Sequence, residues 1–140
     1  MVEFSVEFRV LFVETDANGV VHFTNYFRYC ERAEEELFRA IGLEFPLYAK
    51  QNVWFPRVEA HCKYISPCKY PDHIRVRVRL EELKEKAYRL GFAIDNLTTG
   101  RRAAECYVVA VSTDIREGHA VPMPREYADA LLSFFKEGRE

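Results

Sequence analysis

The stretch from Phe8 to Leu43, FRVLFVETDANGVVHFTNYFRYCERAEEELFRAIGL, changes its hydrophobic period midway, and that change decides the fold. Leading into it, every even position from Val2 to Phe12 is apolar (Val2, Phe4, Val6, Phe8, Val10, Phe12), while Glu3, Ser5, Glu7 and Arg9 point the other way. A period of two reads as a half-buried strand. The polar run Glu14-Thr15-Asp16-Ala17-Asn18-Gly19 ends the alternation as a turn, with Gly19 free to take positive φ or to approach a ligand. From about Phe23 the apolar residues recur at steps of three and four: Tyr26, Cys30, Ala33, Leu37 and Ala40, with Phe27 and Ile41 widening the stripe. Roughly 18 residues at 1.5 Å each predict a helix of about 27 Å, capped by Thr24 or Asn25 at its start and closed by Gly42. Arg28, Glu31, Arg32, Glu35, Glu36 and Arg39 form its solvated face.

Working outward, Val58, Ala60, Cys62 and Tyr64 alternate with Arg57, Glu59, His61 and Lys63, after the region of Pro46. Ile74, Val76, Val78 and Leu80 alternate with Arg75, Arg77 and Arg79. Both runs read as strands, separated by the proline-bearing turn Ser66 to Asp72. Two more strands are predicted over Ala87 to Asp95 and Ala103 to Thr113, hinged at Asn96-Leu97-Thr98-Thr99-Gly100. A short amphipathic helix follows Pro124. The order is strand, long helix, four strands and a terminal helix, an α+β plan with antiparallel pairing in one domain over residues 1–140. One helix leaves sheet edges uncovered, so at least a dimer is expected.

The 20 basic and 22 acidic residues leave a net charge of −2, which builds no field for a polyanion. Nucleic acid is excluded as a partner on that ground. No apolar run has signal-peptide or membrane-span length, so the expected setting is the cytoplasm, with no membrane association. Cys30, Cys62, Cys68 and Cys106 show neither a C-x-x-C pair nor a compact disulfide spacing and read as free thiols. Cys62 and Cys68 with His61 and His73 match no zinc module, and no metal or other cofactor is expected. Asn96-Leu97-Thr98 fits a glycosylation acceptor, which would matter only in a secreted chain.

Asp16 is the residue through which this layout would do chemistry. It lies between a strand end and a helix start, where backbone N–H groups lack partners. Such groups can bind the oxygen of a thioester carbonyl as charge builds on it, while a carboxylate attacks or activates water. On spacing alone, a cap for the turn or helix comes first as the reading of Asp16. His22 could orient a water or substrate, or be structural; Asn25 reads first as a cap and Tyr26 as core. The glutamates Glu31 and Glu35 read as charged surface, as do the Arg75, Arg77, Arg79 ladder and the Lys84-Glu85-Lys86 run.

The quoted stretch, with its D-x-x-G-V-V-H-x-x-N-Y pattern at Asp16, Gly19, Val20, Val21, His22, Asn25 and Tyr26, resembles the signature region of the 4-hydroxybenzoyl-CoA thioesterase family, including its YbgC-like acyl-CoA thioesterases. The segments KYISPCKYPDHIRV and GHAVPMPREYADAL resemble that family's downstream blocks. The resemblance implies a hot-dog fold, a curved antiparallel sheet of about five strands wrapped round one long central helix. It implies dimers or tetramers with active sites at subunit interfaces. It makes Asp16 the catalytic nucleophile or general base, with His22 beside it and the backbone N–H near Phe23 polarising the carbonyl. Gly19, Val21, Asn25 and Tyr26 would shape the substrate site, and Lys84 and Lys86 would meet CoA phosphates, in the same or a neighbouring subunit. The implied activity is hydrolysis of an acyl-CoA to free acid and CoA. A non-catalytic acyl-CoA-binding protein is the alternative, and a hot-dog dehydratase the third. His22 points to the YbgC-like branch and leaves the acyl group open.

Overall fold

The computed structural model describes residues 3–43 and 52–136. The region of Pro46 and the start of the expected first strand at Val2 lie outside them. In chain order the elements are β1 (Phe4–Arg9), a 3-10 turn (Phe12–Glu14), α1 (Asn25–Ala40), β2 (Val53–Trp54), β3 (Arg57–Tyr64), β4 (His73–Leu83), β5 (Ala87–Asn96), β6 (Arg101–Val111), β7 (Thr113–Asp114) and α2 (Arg125–Lys136). Five strands form one antiparallel sheet in the order β1-β4-β5-β6-β3, and β2 pairs with β7 alone. This is the expected α+β hot-dog plan, with α1 lying along one face of the sheet.

Period-two residues supply the sheet's inner face. Ile74, Val76 and Val78 of β4 and Leu90, Phe92 and Ile94 of β5 are almost fully buried, and Tyr29, Cys30, Ala33 and Leu37 of α1 press onto that face. Each large apolar side chain withdrawn from water this way contributes roughly 1.5–3 kcal/mol. The outer face carries the arginine ladder, which is matched by acids as an ordinary charged surface: Arg75 with Glu7 at 3.0 Å, Arg77 with Asp95 at 3.0 Å, and Arg79 with Glu81 at 2.7 Å. Helix α2 closes one end through Tyr127, stacked on Phe55 with ring centroids 4.3 Å apart, and through Phe134 against Phe4.

Three expectations need correction. First, β1 ends at Arg9; Phe12, expected inward, sits in the 3-10 turn and is 73% exposed, because Glu14 caps the Leu11 N–H and curls the chain there. Second, α1 begins at Asn25, not at about Phe23, and neither expected cap acts as one. Thr24 occupies the N-cap position with no side-chain cap bond, and the Asn25 amide donates instead to the Glu14 carbonyl at 2.8 Å. Gly42 does close the helix, at φ +81°. Third, strict alternation in β3 fails at its start. A bulge between Arg57 and Glu59 inserts Val58, leaving it 62% exposed and turning Arg57 to the inner face. There Arg57 meets Glu34 of α1 at 2.6 Å.

The remaining strands are as read, β4 running on to Leu83 and β5 and β6 forming a hairpin. The pair β2 and β7 was not foreseen, two residues each being too short to show a period. Asn96 is fully buried, donating to Asp72 at 2.8 Å and accepting from Thr98 at 3.0 Å, so it braces the hairpin turn and is no glycosylation acceptor. Among the described residues no metal-ligating cluster forms and no helix is long and apolar enough to cross a membrane.

Candidate active site

The loop from Glu14 to Thr24 is built as a clasp. An antiparallel bridge joins Thr15 to Val21, and within it Asp16 N–H donates to Val20 O and Gly19 N–H to Asp16 O, each at 2.9 Å. Gly19 takes φ +80°, the left-handed conformation that returning the chain over so few residues demands. Val21 is buried and donates its N–H to Cys68 O at 2.8 Å, which ties the clasp to the turn before β4.

Asp16 is half-buried at the tip of this clasp. One carboxylate oxygen, Oδ1, accepts the Asn18 N–H at 2.8 Å. The other has no hydrogen bond or cation among the described residues. Part of the capping reading therefore holds, since Asp16 does stabilise its own turn. It caps no helix.

Glu14 joins the clasp to α1, and its part in the site was missed in the sequence. Its carbonyl accepts His22 N–H at 2.9 Å and the Asn25 amide at 2.8 Å; its carboxylate accepts Leu11 N–H at 2.8 Å and the Tyr29 hydroxyl at 2.7 Å. Burial, reinforced by that Glu14 carboxylate, pushes the Tyr29 phenol well above its ordinary value and keeps it a donor. The only sequence signal was an acid between a strand and a helix start, which is common in loops.

His22 places Nδ1 2.8 Å from the Thr24 hydroxyl, and its ring lies 4.7 Å from that of Phe23. The Phe23 N–H donates to no acceptor among the described residues, while the Phe23 carbonyl accepts from Asn25's neighbour Tyr26 N–H at 3.3 Å and from the Tyr64 hydroxyl at 3.1 Å. Tyr26 is buried, as the core reading had it, with its ring edge-on to Tyr29 and Tyr64. Phe23 is 60% and Tyr64 45% exposed, so two aromatic side chains stand partly open near the free amide. Chemically, a carboxylate oxygen and an unpaired amide are offered on one short loop, which suits attack at a carbonyl carbon.

Asp16, Gly19, Val21, His22, Phe23, Asn25 and Tyr26 thus come together. Lys84 and Lys86 do not join them within one chain. They occupy the β4–β5 turn, at the opposite end of β4 from the clasp, about 33 Å along the strand. Lys84 is exposed and 3.7 Å from Glu82.

The fold is that of the hot-dog thioesterase class. Residues 10–131 match the family model described as Thioesterase-like superfamily, and the chain belongs to that superfamily. It is 26% identical to a 1,4-dihydroxy-2-naphthoyl-CoA hydrolase of Thermosynechococcus vestitus, over 94% of this chain and 87% of that protein. A solved hypothetical protein from Aquifex aeolicus is 30% identical, with a TM-score of 0.85 over 91% of this chain and 98% of that one. A gentisyl-coenzyme A thioesterase structure is 28% identical, with a TM-score of 0.81 over 91% of this chain and 98% of its own.

Proposed function

We propose that the chain hydrolyses an aromatic acyl-CoA thioester to the free acid and CoA, with Asp16 as nucleophile or general base and the Phe23 N–H binding the carbonyl oxygen. The observation that carries this reading is the unpartnered carboxylate oxygen of Asp16 on the same clasp as an unpaired helix-start amide. An amide already fixed in place needs no reorganisation as negative charge grows on the thioester oxygen. The neighbouring carboxylate then attacks the carbonyl carbon directly, or draws a proton from a water that does. The exposed faces of Phe23 and Tyr64 favour a flat acyl group, and two of the relatives are named for aryl-CoA esters. His22 supports the YbgC-like branch of the 4-hydroxybenzoyl-CoA thioesterase family.

The same reading takes residues 1–140 as one domain, working in the cytoplasm as a dimer or tetramer. Support for the dimer lies in β3, an edge strand of the sheet, whose residues Val58, Ala60 and Tyr64 stay exposed. Pairing with a second β3 would cover them. Lys84 and Lys86 would then serve CoA phosphates bound at a neighbouring subunit's clasp.

Thiol release over a panel of aryl, short-chain and long-chain acyl-CoAs tests the proposal. Turnover greatest on aryl esters is expected, with Asp16→Asn and Asp16→Ala lowering kcat/KM by about 100-fold or more while the chain stays folded. Binding of CoA esters with no thiol released would establish a binding protein instead, and a folded Asp16 variant with unchanged kcat/KM would remove Asp16 from the chemistry.

A further inference from the structure

Cys62 of β3 and Cys106 of β6 are direct partners in the antiparallel register, and their Sγ atoms lie 2.7 Å apart on the inner face of the sheet. Cys30 of α1 contacts Cys106 from the other side, and Cys68 stands apart beside Tyr26. All four are free thiols. Directly opposed residues on neighbouring strands have Cα atoms about 4.5–5.5 Å apart, within the span of about 4.4–6.8 Å that a disulfide bridges. Cys62 is the half-buried member, whereas Cys30 and Cys106 are 2% and 5% exposed.

We propose that Cys62 and Cys106 form an oxidative modification site, a dithiol that hydrogen peroxide converts to an intrachain cross-strand disulfide. The contact with the Cys106 thiol and burial push the Cys62 thiol well above its ordinary value, so the reaction quickens as pH rises. Cys62, on losing its proton, attacks one peroxide oxygen; the O–O bond breaks, the departing oxygen takes up that proton and leaves as water, and Cys62 becomes a sulfenic acid. The Cys106 sulfur then attacks Cys62 sulfur, forming the S–S bond, and the hydroxyl leaves with the Cys106 proton as a second water. In sum two thiols lose two electrons and two protons, and one peroxide is reduced to two waters. A resolving thiol already in place intercepts the sulfenic acid before further oxidation. The link closes the chain from residue 62 to residue 106, which restricts the unfolded ensemble and stabilises the fold. It also fixes the strand that carries Tyr64, two residues further along the same face. The inference stands independently of the hydrolase reading.

The test takes the reduced full-length protein, treats it with dilute hydrogen peroxide under native conditions, then alkylates under denaturing conditions and maps peptides. The expected result is a mass loss of about 2 Da, two thiols of four protected, a Cys62–Cys106 linked peptide in a chain that remains monomeric on a non-reducing gel, and a Tm raised until reductant is added. Cys62→Ser should abolish the mass loss. Four alkylatable thiols after treatment, a different linked pair, a link between chains, or Cys62 appearing as sulfinic acid in the unaltered protein would each overturn the assignment. The map of the unaltered protein decides the matter even if a serine variant folds poorly.

Discussion

Tyr64 donates its hydroxyl to the carbonyl oxygen of Phe23 at 3.1 Å, so the far end of the edge strand β3 is tied to the loop two residues ahead of the central helix. Partial burial, with Cys62 beside it, pushes the Tyr64 phenol up to about 12, which keeps it a donor throughout the neutral range. Its ring also sits edge-on to Phe23, with centroids 6.3 Å apart.

Removing that hydroxyl should loosen the peptide group at the helix start without emptying the core. A single neutral hydrogen bond is worth about 1 kcal/mol, so Tyr64→Phe should lower kcat about fivefold on an aryl-CoA while KM and Tm change little. Steady-state kinetics beside a thermal melt would check this. An equal loss through KM alone would assign Tyr64 to ground-state binding.

Glu34 offers a pH-dependent prediction. It is 3% exposed and accepts from Arg57 and from the Tyr88 hydroxyl, each at 2.6 Å. Burial nevertheless holds its carboxyl above the ordinary carboxylate value, against the pull of Arg57 and Tyr88. A raised carboxyl binds its proton more tightly in the folded chain than in the unfolded one. The stability it contributes is therefore fully present below the ordinary glutamate value, about 4.3, and is lost as pH rises through its folded value. Glu34→Gln, which cannot ionise, should gain Tm relative to the unaltered protein as pH increases from 4 to 8. Paired melts at several pH values measure that difference; a gap that stays constant would contradict it.

The edge strand supplies a prediction about assembly. Val58 is 62% exposed at the bulge of β3, away from the clasp of its own chain. Val58→Lys should place like charges near each other wherever two β3 strands meet, shifting the protein toward monomer while leaving its circular dichroism unchanged. Light scattering on the eluting protein would show the shift. If the Val58→Lys protein keeps the oligomeric state of the unaltered chain, β3 is not the contact.

Much of this architecture was legible because period and burial coincide. The even residues of β1 and the arginine-interleaved run of β4 alternate as cleanly in the fold as in the sequence, and α1 follows its stripe from Tyr26 to Leu37. Reading failed where one residue broke the phase. Val58 is such a residue: nothing in VEAHCKY distinguishes a bulge from a regular strand, and a strict alternation hides the pairing of Arg57 with Glu34. Glu34 itself shares a run of three glutamates with Glu35 and Glu36, and only its partner across the core separates it from them. At the clasp, Asp16, Gly19 and the helix start were readable as a group, whereas Glu14 acts as much through its backbone carbonyl, which every residue has, as through its carboxylate.

The extra residue in β3 has one more outcome. A long, flat, regular border of a sheet invites open-ended growth, one chain after another adding strands until a fibre results. The kink at Val58 shortens the regular border to the six positions from Glu59 to Tyr64. A strand of that length that docks on its own two-fold copy is used up in a single event, with no row of amides left on that side to recruit a third chain. In a dimer built on β3, this border would therefore be the terminus of association on that side.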